Sequence, residues 1–196
     1  MKKILSIILS LSLSMILVSC GNDDSSSKAT DSVDSSSSVT SDSSVDTEKV
    51  PGEYTVSVSD DKKLCFKVNP DEWTEKSSGS TENVLVRSSS KLNLNTFTTS
   101  NMNVDRLGSF SQKYEAQYEQ FGRNVSRNEI IKINDFDVLV IEALYSNPSE
   151  GPDTKYVEYY ILTEGSTVAF GFSLDSNTYE ENKAVIDGII NSISIK

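Results

Sequence analysis

Two long strand-like segments, each divided by a short turn sequence, fill much of the second half of the chain and restrict the folds open to it. They are residues 126–133 and 136–145 around Asn134-Asp135, and residues 155–163 and 166–174 around Glu164-Gly165. Short turns that contain Asn, Asp or Gly between such segments are typical of hairpins. We therefore expect an antiparallel sheet at the centre of the fold.

The side chains that face each other across the first turn support a two-residue loop at Asn134-Asp135. That register places Lys132 opposite Asp137 and Arg127 opposite Glu142, so that opposite charges pair. It also pairs like apolar residues, namely Ile131 with Val138 and Ile130 with Leu139. The pattern therefore predicts which side chains share a face of the sheet.

The second hairpin predicts two unlike faces. One face carries apolar pairs: Val157 with Phe172, Tyr159 with Phe170, and Ile161 with Val168. The other sets Tyr156, Glu158 and Tyr160 opposite the small residues Ser173, Gly171 and Ala169. Either a helix or terminal strand covers this second face, or Tyr156, Glu158 and Tyr160 form a shallow surface that contacts a partner. In the latter case Glu158 and the acidic domain favour a basic or cationic ligand.

A helix is expected before the first hairpin. It carries a stripe of apolar residues at spacings of three and four: Leu107, Phe110, Tyr114, Tyr118 and Phe121. This spacing places them on one face, which we expect to pack in the core. Asp105 is a suitable N-cap and Gly122 a suitable end. Shorter strand patterns precede the helix, at residues 54–58, 64–68, 84–86 and 92–97.

A second helix is expected near the end of the chain, over residues 178–192. Its apolar face is broad, Asn177 or Thr178 serves as its N-cap, and acidic residues occupy its first turn. Residues 194–196 are expected to close the fold as a short strand.

The first 20 residues have the pattern of a secretory signal. Lys2 and Lys3 precede an apolar, Ser-containing stretch over residues 4–18, which is shorter than the roughly 20 residues of a membrane span. It is followed by Ser19, Cys20 and Gly21, and the sequence Leu17-Val18-Ser19-Cys20 resembles the bacterial lipoprotein signal, in which small residues precede the lipidated cysteine. The resemblance implies a signal peptide of residues 1–19, cleavage before Cys20, and lipidation of Cys20 with acyl chains such as palmitate. An ordinary secretory signal or a retained transmembrane helix are the alternatives.

Residues 20–52 are predicted to be the lipidated cysteine and a disordered tether. Residues 21–50 hold 11 Ser, 3 Thr and 7 acidic residues but no aromatic residue, so they cannot build a core. Pro51-Gly52 marks the start of a folded domain over residues 53–196. Within it, Cys65 has a strand environment and is expected to be a buried, inert thiol, with a Cys20–Cys65 disulfide as the alternative.

Composition excludes several classes of function. The chain has 29 acidic and 18 basic residues, and an acidic chain repels phosphate backbones, so nucleic-acid binding is not expected. It has no histidine, which removes Ser-His-Asp and Cys-His catalysis and the usual zinc sites. It also has no Gly-rich phosphate loop and no Cys-x-x-Cys pair. We therefore expect no catalytic residue, no metal and no cofactor.

The order of elements resembles that of the PsbP-like family, whose fold is shared with the Mog-type Ran-binding proteins. Three motifs carry the resemblance: Phe66, Val68, Pro70 and Trp73 in the segment 66–73, the turn at 132–138, and the closing pattern at 186–195. The resemblance implies an α+β fold, with an antiparallel sheet of about six strands and packed helices in an α/β/α sandwich. Because fold does not decide activity, the photosystem and Ran-binding roles are not transferred, and no binding residue is carried over.

We therefore expect a nonenzymatic lipoprotein anchored on the extracytoplasmic face of a bacterial cell membrane. It would act as a binding or assembly module for an unknown envelope protein or a cationic ligand. One alternative is an accessory lipoprotein that captures a small solute for a transporter, although the domain is short for two lobes. Another is a carboxylate-dependent hydrolase, such as a glycosidase, in which Glu142 and Glu158 come together.

Overall fold

The structure is a computed structural model, and it describes residues 51–147, 149 and 151–196. The predicted signal peptide, Cys20 and most of the predicted tether lie outside the described residues. The elements, in chain order, are β1 Glu53–Ser57, β2 Lys63–Lys67, β3 Trp73–Ser78, β4 Glu82–Arg87, β5 Leu92–Thr99, α1 Val104–Gln120, β6 Arg123–Ile133, β7 Phe136–Tyr145, β8 Thr154–Leu162, β9 Thr167–Asp175, a 3-10 turn Ser176–Thr178, α2 Tyr179–Asn191 and β10 Ser194–Ile195.

Seven strands form the central sheet, in the order β3-β4-β5-β9-β8-β7-β6, and each neighbouring pair is antiparallel. A second sheet, in the order β1-β2-β10, has three strands. The predicted α+β class, with an antiparallel sheet and packed helices, is confirmed. The structure adds one strand to the expected six and places the three short strands in a sheet of their own.

The two faces of the central sheet belong to different cores. We call the face that packs on α1 the α1 face; its core contains Leu107 and Tyr118 from the helix and Leu139, Ile141 and Tyr160 from the sheet. The opposite face, the α2 face, packs on α2 and the small sheet in the larger core. Its members include Phe66, Trp73, Val140, Tyr159, Phe170, Phe172, Ile186 and Ile190. Each strand of the centre thus buries both of its faces.

Both predicted hairpin registers are confirmed. Lys132 pairs with Asp137, Arg127 with Glu142, and Tyr159 with Phe170. The first hairpin is longer than expected, because β6 begins at Arg123 and a bulge between Val125 and Arg127 absorbs one residue. A bulge shifts the alternation of side chains, and this hid the first three residues of β6 from the sequence pattern.

The helices differ from expectation at their first turns. The N-cap of α1 is Asn103, whose side chain accepts a 2.9 Å hydrogen bond from the Arg106 backbone N–H, whereas Asp105 lies within the first turn. The predicted end is confirmed: Gly122 follows the helix with a φ of +72°, which favours glycine. At α2, Thr178 occupies the N-cap position without a side-chain capping bond.

Strand β3 was not predicted, except that Trp73 was placed just after a turn. Beyond Trp73 its residues are mostly exposed and polar, because β3 is the edge strand of the seven-stranded sheet. A strand without an apolar alternation gives no period-2 signal.

Cys65 is buried in the middle of β2 and its thiol is free. Burial raises the pKa of this thiol, and the neighbouring Glu53 carboxylate acts in the same direction against the opposing effects of Lys196 and Lys63. The burial expected from the sequence is confirmed. A thiol with a raised pKa holds less thiolate at neutral pH and reacts more slowly.

Gly165, in the turn of the second hairpin, packs against the backbone next to the three-stranded sheet. A Cβ placed on Gly165 would lie 2.0 Å from the Val58 carbonyl oxygen, so the backbone of this turn contacts the turn after β1 directly. We expect Gly165→Ala to lower the free energy of unfolding by about 1–3 kcal/mol, because the clash involves backbone that cannot rotate away. Chemical denaturation measures this change.

The matched control is Gly188→Ala on α2, where a Cβ would meet no atom within 4 Å. Alanine is the better helix former, so this variant should gain about 0.4–1 kcal/mol. Equal effects of the two substitutions would show that the close approach at Gly165 is not required for folding.

Candidate functional site

The three residues singled out by the sequence, Tyr156, Glu158 and Tyr160, all lie on β8 and on the α1 face. Helix α1 lies over this part of the sheet. Tyr160 is 1% exposed, and its ring packs edge-on against Phe110 and Tyr114 with centroid distances of 5.0 and 5.7 Å. For Tyr160 the structure therefore supports the covered alternative, and this residue cannot contact a partner in the folded state.

Glu158 is held from within the protein. The Tyr118 hydroxyl on α1 donates a hydrogen bond to Oε1 of Glu158, and the Tyr160 hydroxyl donates to Oε2 at 2.7 Å. Burial, followed by the charge of Glu158, raises the pKa of Tyr118 and of Tyr160 well above the ordinary value. Both hydroxyls consequently stay protonated and remain donors to the carboxylate.

Arg123 lies on the outer side of this cluster. Its guanidinium carbon is 4.8 Å from the centroid of the Tyr118 ring and 4.2 Å from that of the Tyr156 ring. In the part of the chain that the structure describes, the Arg123 side chain makes these ring contacts but no hydrogen bond and no ion pair. The half-buried Arg123 thus presents free N–H donors beside Tyr156.

The strands next to β8 continue the α1 face beyond the helix. Cross-strand pairs define three rows: Tyr156 beside Ser173 and Asn93, Glu158 beside Gly171 and Asn95, and Tyr160 beside Ala169 and Phe97. Asn95 and Phe97 are exposed, whereas Asn93, Gly171 and Ser173 are half-buried. We call these five residues the open strand face. Neighbours in a row are about 5 Å apart, so the open strand face begins directly beside Tyr156 and Glu158.

Sequence reasoning placed Ser173 and Gly171 opposite Tyr156 and Glu158 but missed Arg123 and the β5 residues of the open strand face. Arg123 falls between the predicted helix and the predicted start of the next strand, so no period placed its side chain on a face. Asn93 and Asn95 alternate with buried leucines on β5, which was the one available signal. Whether Asn93 and Asn95 lie next to Tyr156 and Glu158 depends on which strand pairs with β5. That strand is β9, which follows β5 by nearly 70 residues, so a local pattern does not reveal the pairing.

Glu142, the other acidic residue considered for catalysis, lies on the α2 face. It pairs with Val157, whereas Glu158 pairs with Ile141, so the two carboxylates project from opposite faces of the sheet. Glu142 forms ion pairs with Lys155 at 2.8 Å and with Arg127 at 3.3 Å. The expectation that Glu142 and Glu158 could come together is wrong, because neighbouring positions of paired strands alternate in direction.

The Glu142 ion pairs make the stability of the domain depend on pH. Burial raises the pKa of Glu142, but the hydrogen bonds and charges of Lys155 and Arg127 outweigh it and hold the pKa below its ordinary value. A carboxyl with a lowered pKa stabilises the fold above the unfolded-state pKa of about 4.3, and that contribution is lost as the pH falls through the folded-state pKa.

We expect Glu142→Gln to lower the free energy of unfolding at pH 7 by about 1–3 kcal/mol and to flatten its decline between pH 5 and 3. Glu164→Gln is the control: Lys62 also lowers the pKa of Glu164, but both side chains are exposed, so solvent screens this pair and we expect a smaller change. Denaturation midpoints measured from pH 7 to pH 3 give both slopes. Equal slopes for wild type and Glu142→Gln would contradict the assignment.

Two shallow depressions lie away from this site. One, of about 300 Å³, lies between Trp73 and Ile189, and the other, of about 450 Å³, lies beside Met102 and Phe110 at the start of α1. Among residues 51–147, 149 and 151–196, no group of three or more His, Cys, Asp or Glu side chains is placed so that it could hold a metal ion. Over the same ranges, neither helix is long and apolar enough to cross a membrane.

Comparison with known proteins gives structural likeness alone. No family model and no curated protein matches the chain. The crystal structure of LpqN from Mycobacterium tuberculosis, a protein involved in cell envelope biogenesis, is 12% identical; the alignment covers 74% of this chain and 90% of LpqN with a TM-score of 0.52. The solution structure of cyanobacterial PsbP from Synechocystis is 12% identical, over 76% of this chain and 96% of its own, with a TM-score of 0.49. The likeness to LpqN shows a shared fold.

Proposed function

We propose that this chain is a lipoprotein anchored through Cys20 on the extracytoplasmic face of a bacterial cell membrane, and that its domain is a noncatalytic module that binds an envelope partner. The observation that carries the noncatalytic part is the placement of the acids. Glu142 and Glu158 lie on opposite faces of the sheet, and each carboxylate is held by side chains of the domain itself. Because they project from opposite faces, these two residues do not form the carboxyl pair that hydrolysis of a glycoside requires.

The fold and the sequence motif support the envelope location. The described domain shares its fold with LpqN, and LpqN is described as involved in cell envelope biogenesis. The sequence Leu17-Val18-Ser19-Cys20 resembles a lipidation motif, and two or more acyl chains on one cysteine give stable membrane attachment. A solute-capturing lipoprotein is the second candidate, but the described domain offers shallow depressions in place of a cleft between two lobes.

The anchor is tested by Cys20→Ser. We expect this variant to lose lipid attachment completely and to accumulate as an uncleaved precursor, because the thiol is the acceptor of the lipid. Metabolic labelling with palmitate and detergent-phase partitioning measure the change. Cys65→Ser is the control, since Cys65 is buried in β2 and should not be lipidated. A Cys20→Ser protein that still partitions as a mature lipoprotein would remove the anchor from the proposal.

Partner binding is tested in living cells with a photo-cross-linking amino acid. We expect adducts when it replaces Asn95 on the open strand face, but not when it replaces Lys183 on the exposed side of α2. Both positions are solvent-exposed, so a difference in adducts reports on which surface of the domain contacts the partner. Equal adducts at both positions would mean that contact is unspecific and would count against a binding module.

A further inference from the structure

The guanidinium of Arg123 differs from the other described arginines in having no polar partner. Arg87 bonds to Glu72 and Asn182, Arg127 to Glu129 and Glu142, and Arg106 to the Asn101 carbonyl. Arg123 contacts aromatic rings instead. A guanidinium has five N–H donors in a planar fork, and a carboxylate matches that fork with two parallel hydrogen bonds. Among the described residues, no group accepts a hydrogen bond from the Arg123 guanidinium, so its donors have no partner within the domain.

We propose that Arg123, held between Tyr118 and Tyr156, binds a carboxylate, and that this carboxylate is the C-terminal end of a peptide chain lying on the open strand face. The two rings already restrict the guanidinium, so less side-chain entropy is lost when a ligand binds. This inference rests on the proposed function, since the peptide end would belong to the envelope partner.

Arg123 favours an anion at this site, whereas the sequence led us to expect a cationic ligand. Both oxygens of Glu158 already accept hydrogen bonds from Tyr118 and Tyr160, whereas the guanidinium of Arg123 has no polar partner among the described residues. The domain as a whole has 22 acidic and 14 basic residues over 53–196, and this excess repels ligands with several negative charges. A ligand with one carboxylate can form an ion pair with Arg123, and the negative charge of the domain repels it less than a ligand with several negative charges.

The open strand face suits the rest of a peptide. The amide of Asn95 can donate to and accept from peptide C=O and N–H groups, and Asn93, whose Nδ2 already donates to the Lys91 and Ser173 carbonyls, can accept through its oxygen. Gly171 and Ser173 leave space above the sheet, and a Cβ placed on Gly171 would have its nearest neighbour 3.8 Å away. Phe97, which is 39% exposed, offers an apolar contact at the far row. Arg123 contacts the Tyr156 ring, and Tyr156 begins the row that continues through Ser173 to Asn93.

The test uses the full-length protein in detergent and two probes, acetyl-Ala-Ala with a free carboxylate and the same peptide with a C-terminal amide. NMR follows the Arg123 Nε–H signal and the backbone amides of Gly171 and Ser173. We expect the acid to shift these signals and the amide to shift them at least about tenfold more weakly, because a charged hydrogen-bonded pair is lost. Equal binding of the two probes would overturn the proposal. So would stronger binding of inorganic phosphate or of a simple alkylamine.

Variants separate binding from folding. Arg123→Gln should weaken acid binding at least about tenfold, and Arg123→Lys should weaken it less, because lysine keeps the charge but not the fork or the stacking. Arg106→Gln on α1 is the matched control and should bind as wild type. The melting temperature of each variant verifies that it is folded. Unchanged binding in a folded Arg123→Gln protein would refute the assignment.

Failure of this inference is distinguishable from failure of the proposed function. If the acid peptide does not bind while Cys20 is lipidated and Asn95 still forms adducts, only the carboxylate assignment is lost. If Cys20 is not lipidated or Asn95 forms no adducts, the proposed function fails whatever Arg123 binds.

Discussion

Tyr160→Ser should lower the free energy of unfolding by about 3–5 kcal/mol, as expected when a large buried aromatic side chain is truncated. Tyr160 is 1% exposed and lies where α1 meets the central sheet, in contact with Phe110 and Tyr114. The substitution removes these ring contacts and the hydroxyl that bonds to Glu158. Urea denaturation followed by circular dichroism measures the change.

Tyr160→Phe is the matched control, because it keeps the ring and removes only the hydroxyl. Glu158 would retain the hydrogen bond from Tyr118, so we expect a loss of about 1–3 kcal/mol, smaller than that of Tyr160→Ser. The two variants therefore separate ring packing from the hydrogen bond. A Tyr160→Ser protein as stable as wild type would show that α1 does not cover this part of the sheet.

The sequence predicted the hairpins because their signals are local. Alternation and turn residues lie within about 20 positions of one another, and charge pairs such as Lys132 with Asp137 test the register directly. The same holds for the end of α1, where Gly122 adopts a positive φ. Elements with both a period and a terminal signal were therefore identified, although the N-cap of α1 and the start of β6 differ from the prediction.

The remaining features depend on contacts between distant segments. Strand β3 has no apolar period, and the three-stranded sheet joins β2 to residues more than 120 positions later. At the candidate site, the sequence found Tyr156, Glu158 and Tyr160 but could not decide which of them α1 covers. Arg123 became recognisable only when its distances to Tyr118 and Tyr156 were known.

Glu158 illustrates how packing changes the surroundings of a charged side chain. An acidic side chain between two tyrosines on a strand suggests a site for a cation. In the fold, the hydroxyls of Tyr118 from α1 and of Tyr160 both donate to this carboxylate. Arg123 has no such polar partner among the described residues and contacts the rings of Tyr118 and Tyr156 instead. The chemistry of the site therefore follows from the packing of α1 as much as from the residues of β8.

Trp73→Ala should lower the free energy of unfolding by about 3–5 kcal/mol, because it empties the largest side-chain volume at the edge of the α2-face core. Trp73 is 6% exposed at the start of β3, where it pairs with Arg87. A depression of about 300 Å³ already lies between Trp73 and Ile189 of α2, so removal of the indole would widen it into the core. Denaturation monitored by far-UV circular dichroism gives the change without relying on tryptophan fluorescence.

Wild-type emission supplies an independent measurement, because Trp73 is the single tryptophan of the chain. A buried indole should emit at shorter wavelength than free tryptophan in water, and unfolding should shift the emission to the red. Trp73→Phe is the control for ring packing and should lose less stability than Trp73→Ala, since a smaller cavity remains. Emission like that of free tryptophan, or equal stabilities of the two variants, would mean that β3 and α2 are not packed through this side chain.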